Sequence, residues 1–206
     1  MADLPGGISP TRSAYLELKD ERRQIREGYE FLDEKRLLLA AELLRRLREY
    51  EALRQDLGVI WAEARAALAG ACGRHGLEGL DVLPAAPVTE TRWTSEERRF
   101  LGVMLIDGSA DLVRGDPDRT AVNPSPESRE CADAFFRLAG RLGELALAEA
   151  SLIRLARDYT RTERRARALE NVLLPELQDA LHFMDEQLEA MDQEEAIRVR
   201  RARTED

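Results

Sequence analysis

From Ser9 to about Ala69 the chain repeats apolar residues at heptad spacing. One row is Tyr15, Arg22, Tyr29, Arg36, Leu43, Tyr50, Leu57 and Ala64; the other is Leu18, Ile25, Leu32, Leu39, Arg46, Leu53, Ile60 and Ala67. Thirteen of these sixteen positions are apolar or tyrosine, and the other three are arginine. A pattern held over eight heptads predicts one face of a coiled-coil helix, because 3.5-residue spacing keeps that face toward a partner. At ~1.5 Å per residue such a helix is roughly 90 Å long. Its start signal is Ser9-Pro10, a cap residue followed by a proline whose missing N–H costs nothing at the first helical position.

The last part of the chain begins in the same way, with Ser125 as the cap and Pro126 as the first helical residue. Its apolar row reads Leu138, Leu142, Leu145, Leu152, Ala156, Tyr159. It weakens through Thr160–Arg167 and resumes as Leu169, Leu173, Leu177, Ala180, Met184, Leu188, Met191. The second run steps by nearer 3.67 residues than 3.5, so the seam should drift around the helix. Pro175 cannot donate to the carbonyl of Asn171, and a kink is expected there. Between the helical parts, Gly70 to Pro124 holds seven glycines and four prolines. Within it Val88–Thr94 and Phe100–Ile106 read as two strands of a hairpin, with Ser95–Arg99 as the turn.

The expected fold is therefore all-α dominated. Two long helices pair as an antiparallel coiled coil, because neither can bury its stripe alone. Residues 1–70 form the first helix, 71–124 a small irregular middle region with the β-hairpin, and 125–206 the second helix.

Composition agrees with this picture. The 206 residues carry 31 Lys+Arg against 40 Asp+Glu, a net charge of -9, with 34% charged and only 5% aromatic residues. Leu, Ala, Glu and Arg dominate, as in long helices, and the 44% hydrophobic share argues against pure disorder. The acidic balance disfavours broad binding to nucleic acid or anionic lipid. No apolar run approaches the ~18–20 residues that span a bilayer. The opening residues lack a basic region followed by an apolar one, which points away from a secretory signal. Cys72 and Cys131 fit free thiols in a reducing cytoplasm.

Chemistry is scarce. Neither Lys19 nor Lys35 follows a glycine, so no phosphate-cradling Gly-Lys-Ser/Thr loop exists. Cys72-x-x-His75 is half of a zinc spacing, but a closed site needs four ligands. The plainer reading is an exposed His75 in a Gly-rich turn with Cys72 packed as a small hydrophobe. His182 lacks a defined nucleophile and orienting acid, so it reads as a solvated or packed histidine. No catalytic residue, metal or cofactor is expected. Arg161, Arg164, Arg165 and Arg167 cluster where the apolar seam fades. They are either a solvated face with ion pairs to Glu163 and Glu170 or a basic collar for an acidic partner.

Two segments resemble a known family. The first is Ser9-Pro10-Thr11-Arg12-Ser13-Ala14-Tyr15-Leu16-Glu17-Leu18-Lys19 with Glu27-Gly28-Tyr29-Glu30-Phe31-Leu32-Asp33-Glu34-Lys35-Arg36. The second is Thr162-Glu163-Arg164-Arg165-Ala166-Arg167-Ala168-Leu169-Glu170-Asn171-Val172-Leu173-Leu174-Pro175. Together they resemble the D subunit of the V-type (archaeal/vacuolar) ATPase or ATP synthase, and Phe100-Leu101-Gly102-Val103 resembles that family's middle strand. Ala166-Arg167 and Ala196-Ile197 depart from the family's usual residues. The resemblance implies a non-catalytic central rotor shaft, cytoplasmic and peripheral to the membrane, that couples ATP turnover to proton or sodium movement. The implied partners are the A and B subunits of the ring, the F subunit, and the subunit capping the membrane rotor. It also shifts the Arg161–Arg167 cluster toward a contact with the ring. A prefoldin-like chaperone and a plain coiled-coil scaffold are the alternatives that helices and hairpin alone allow.

Overall fold

A computed structural model describes residues 10–81, 88–114 and 125–204. In chain order the elements are α1 (Arg12–Asp81), β1 (Val88–Phe100), β2 (Val103–Arg114), α2 (Pro126–Ala168), a π-helical turn (Leu169–Leu173) and α3 (Leu174–Thr204). The chain is all-α dominated, with one antiparallel β-hairpin. It divides into two compact units, one of residues 1–38 with 159–206, the other of residues 39–158.

Helix α1 starts two residues later than the sequence suggests. Thr11 is the cap: its Oγ1 accepts from the Ala14 N–H at 3.2 Å, and its carbonyl accepts from Tyr15 N at 2.9 Å. Pro10 lies before the helix, and Ser9 lies outside the described residues. α1 also runs past Gly70 to Asp81, with a kink at Gly76. The alanine-rich Ala64–Ala71 stretch favours helix strongly enough to carry it through the first glycines. All sixteen heptad positions are buried or half-buried, Leu18, Leu39, Arg46 and Ala64 most completely.

Ser125 does cap α2. Its Oγ accepts from Ser128 N at 3.1 Å, while Ser128 Oγ accepts from Ser125 N at 3.3 Å. That exchange has the form of a capping box with serine in the acid's place.

In the first unit the start of α1 packs against α3. Leu18, Leu177, Leu181 and Met184 form the core, joined by Ala14, Tyr15, Ile25 and Ala180. Arg12 reaches both carboxylate oxygens of Asp192, at 2.8 and 2.9 Å, so α1 and α3 run antiparallel. The expected irregularity before Pro175 takes the form of the π turn. Leu174 N–H bonds the Leu169 carbonyl, five residues back. A one-residue insertion of this kind absorbs the donor that proline lacks.

The second unit pairs the rest of α1 with α2. Ala64, Ala134 and Leu138 are its core at one end, flanked by Leu57, Ile60, Ala67 and Phe135. The hairpin docks on the same unit. Its turn is Leu101-Gly102, not Ser95–Arg99, and Phe100 pairs with Val103. Both turn residues have positive φ, 49° and 90°, the geometry of a type I′ hairpin turn, which glycine adopts freely. Ser95–Arg99 instead continues β1, and every side chain from Glu90 to Arg99 is exposed. β2 turns Val103, Leu105 and Ala110 inward. Its Ile106 backbone is completed by a side chain: Ser151 Oγ on α2 donates to the Ile106 carbonyl at 2.8 Å and accepts its N–H at 2.9 Å. Ser151 is fully buried, so this hydroxyl replaces the strand that would otherwise satisfy those groups. Gly143 lets the hairpin approach, because a Cβ there would overlap that of Ala110.

Candidate functional site

The two segments that carry the family resemblance meet in the first unit. Gly28 on α1 faces Leu169, the first residue of the π turn. Beside it the Tyr29 phenol lies next to the Glu170 carboxylate, whose interaction holds the phenol proton above its ordinary range. Asp33 and Arg36, one turn further along α1, form an ion pair. The motif residues thus make a polar layer across the helix pair at the point where α2 gives way to the π turn. Nothing in the sequence pattern signals that Tyr29 and Glu170 meet.

The four arginines singled out from the sequence lie just before that layer. All are exposed. Arg167 donates to Glu163 at 2.6 Å, one turn away. Arg161, Arg164 and Arg165 form no ion pair with any described residue, and Glu170 is engaged by Tyr29 rather than by an arginine. The reason for their placement differs from the expected one. The seam does not fade at Thr160–Arg167: Thr162 and Ala166 are 4% and 1% exposed and carry it on with small residues. Spaced around those two buried positions, the arginines must point away from the partner helix. Val172 and Leu173 follow with exposed apolar side chains. The result is an outward cationic patch beside an apolar rim on a chain of net charge -9.

A second cluster, in the other unit, fixes the hairpin. Arg46, 8% exposed, donates through both terminal guanidinium nitrogens to the Asp107 carboxylate on β2, the longer contact being 2.7 Å. Glu42, one turn earlier on α1 and 9% exposed, accepts from Arg45 at 2.9 and 2.6 Å, from Arg46 at 3.3 Å and from Arg98 on β1 at 2.9 Å. Hydrogen bonds from Arg46 hold the Asp107 carboxyl below its ordinary range, and those from Arg45 do the same for Glu42. The Asp107 bond in turn holds the Arg46 proton more tightly than usual. Arg46 is thus a core-row arginine whose charge is answered by the hairpin. The sequence pattern marks Arg46 as an oddity in the seam but cannot point to Asp107, 61 residues away.

The remaining polar candidates serve the scaffold. His75 is half-buried in α1, not exposed in a turn, and its Nε2 lies 2.6 Å from Ser125 Oγ. His182 is largely exposed beside Glu186, at 3.3 Å. Among the described residues no three His, Cys, Asp or Glu side chains gather as metal ligands, and no helix is long and apolar enough to cross a membrane.

The comparisons with known proteins agree in one direction. The family model for the ATP synthase D subunit matches residues 14–204. The V-type ATP synthase D subunit of Thermus thermophilus is 31% identical over 202 residues, 94% of this chain and 86% of that one. The A-type ATP synthase D subunit of Thermococcus sibiricus is 27% identical over 199 residues, 95% and 93% of the two chains. The V-type ATP synthase D subunit of Thermotoga neapolitana is 23% identical over 198 residues, 94% and 96%. With the matched region spanning both paired-helix units and the hairpin, the chain belongs to the family of ATP synthase D subunits.

Proposed function

We propose that the chain is the central rotor shaft of a rotary ATPase or ATP synthase, a non-catalytic subunit that turns inside the ring of A and B subunits. The observation that carries this reading is the outward patch of Arg161, Arg164 and Arg165, which has no ion-pair partner among the described residues while the seam beneath it is closed by Thr162 and Ala166. Long paired helices with closely packed seams suit a part that carries torque, since interlocked side chains resist twist and bending. The cationic patch suits a ring lined by acidic groups, and its presence on one helix only gives the shaft the asymmetry that three ring sites in different states require. Torque then acts as a coupling between distant sites through a rigid element.

In this reading Arg167 braces the patch through Glu163. The F subunit and the subunit capping the membrane rotor engage the unit that bears the hairpin. Proton or sodium flow is the other half of the coupling, and the subunit sits in the cytoplasm, peripheral to the membrane. Charge reversal tests it. In complex reconstituted with the A, B and F subunits, the pair Arg164→Glu and Arg165→Glu should leave ATP hydrolysis measurable but reduce its coupling to ion pumping. Unchanged coupling refutes the assignment of the patch to the ring.

A further inference from the structure

Neither the seam nor the arginine patch uses the two cysteines, yet the pairing of α1 with α2 brings them together. Three contacts fix that pairing. His75 meets Ser125, Glu63 meets Arg137 at 3.9 Å, and Ala64 packs on Ala134 and Leu138. Residue numbers of facing positions therefore sum to about 200 along this stretch. Cys72 lies opposite position 128, and Cys131 opposite position 69, a stagger of three residues or about 4.5 Å along the axis. Side chains on a helix lean toward its N-terminus. Because α1 and α2 run in opposite directions here, the two leans close the stagger and aim the sulfurs at each other. The seam is also narrow: Ala64, Ala71 and Ala134 are at most 2% exposed, and small residues at a contact let helix axes approach to the near end of the usual 8–10 Å. Both thiols are free and half-buried, within reach of a small reagent. Burial and the neighbouring Cys72 sulfur hold the Cys131 thiol above its ordinary range.

We propose that Cys72 and Cys131 form a thiol pair that closes to an internal disulfide by exchange with a low-molecular-weight disulfide of the glutathione type. The Cys72 thiolate attacks one sulfur of the reagent, forming a mixed disulfide and releasing one small thiolate. The Cys131 thiolate then attacks the Cys72 sulfur and releases the second. Two protein thiols are oxidised by two electrons, and one small disulfide is reduced to two small thiols. The order follows from the environment: a buried thiol that resists ionisation is the poorer first attacker but serves once its target is held beside it. Closure ties α1 to α2 at the end of the alanine seam and encloses residues 73–130, hairpin included, in one covalent loop.

The test uses the full chain, reduced and then placed in graded mixtures of reduced and oxidised glutathione. Non-reducing electrophoresis and intact mass should show a monomer that has lost two hydrogens, with a Cys72–Cys131 peptide pair after digestion. This product should exceed the mixed disulfides by at least about tenfold, because the second step is intramolecular. Cys131→Ser should stall as the mixed disulfide on Cys72. Circular dichroism of both serine variants should match the parent, separating chemistry from unfolding. Stable mixed disulfides on both cysteines of the parent, or disulfides only between copies, would overturn the proposal. The result is independent of the rotor reading, which needs no thiol.

Discussion

Replacing Arg46 with methionine tests what holds the hairpin to the helices. Methionine keeps the unbranched stem and its packing while removing the charge, so what is lost is the bonding to Asp107 and Glu42. Removing one partner of a fully buried ion pair costs about 3–5 kcal/mol, whereas exposed pairs contribute at most about 1 kcal/mol. This cluster lies between. Arg46 and Glu42 are nearly sealed, but the Asp107 side chain is 46% exposed and regains water once freed. Glu42 also keeps Arg45 and Arg98. We expect about 2–3 kcal/mol of lost hairpin docking, or roughly 30- to 150-fold in the opening equilibrium. Amide hydrogen exchange reads this locally. Peptides covering β2 should lose protection by that factor, while peptides from the first turns of α1, in the other unit, should not change. With Asp107→Asn as the second member, a double-mutant cycle should show coupling of about 1–2 kcal/mol. A change below about threefold, or strictly additive effects, would show that apolar contacts alone hold the hairpin. The same cluster sets an acid response. Glu42 and Asp107 have carboxyls held below their ordinary range, so their stabilisation is complete above a pH of about 4 and is lost as pH falls through the lower, folded values. Protection of β2 should therefore drop in that acid window, and the drop should shrink in Arg46→Met.

Three further substitutions test the backbone argument. Leu101 adopts φ 49°, a conformation that costs a residue with a side chain about 1–2 kcal/mol, and its side chain is 39% exposed. Leu101→Asn would give an Asn-Gly turn and should stabilise the hairpin by about 0.5–1 kcal/mol in urea unfolding; destabilisation would contradict the turn geometry. Gly143→Ala should lose about 1–3 kcal/mol despite the better helix former, because its Cβ meets Ala110. Gly58→Ala, with open space around it, should gain about 0.5–1 kcal/mol. Thermal melts that rank these last two in the opposite order would refute the close approach.

Helix α1 was largely legible in the sequence because its seam uses large residues at strict spacing, and each heptad position is at least half-buried. α2 and α3 were legible as helices, and their apolar row finds the buried Leu138, Leu177 and Met184 but does not hold throughout. Leu142 and Met191 fit the apolar row yet are 47% and 44% exposed. The row also leaves out Ser151, Leu155, Thr162 and Ala166, which are buried and of which three are small or polar. Small residues serve there because the partner helix or strand comes close. The hairpin was expected, but its turn was misplaced for a physical reason. Ser95–Arg99 is polar because β1 faces solvent, whereas the real turn carries a leucine that no turn preference favours. The arginines were found by their charge; that they stand outside a closed seam required the structure.

The central claim is rotation, and single-molecule observation tests it most directly. With the A and B ring fixed to a surface and a bead attached to this chain near the hairpin, a rotor shaft should turn stepwise and in one direction when ATP is added. A bead that stays still while the same complexes hydrolyse ATP would contradict the claim.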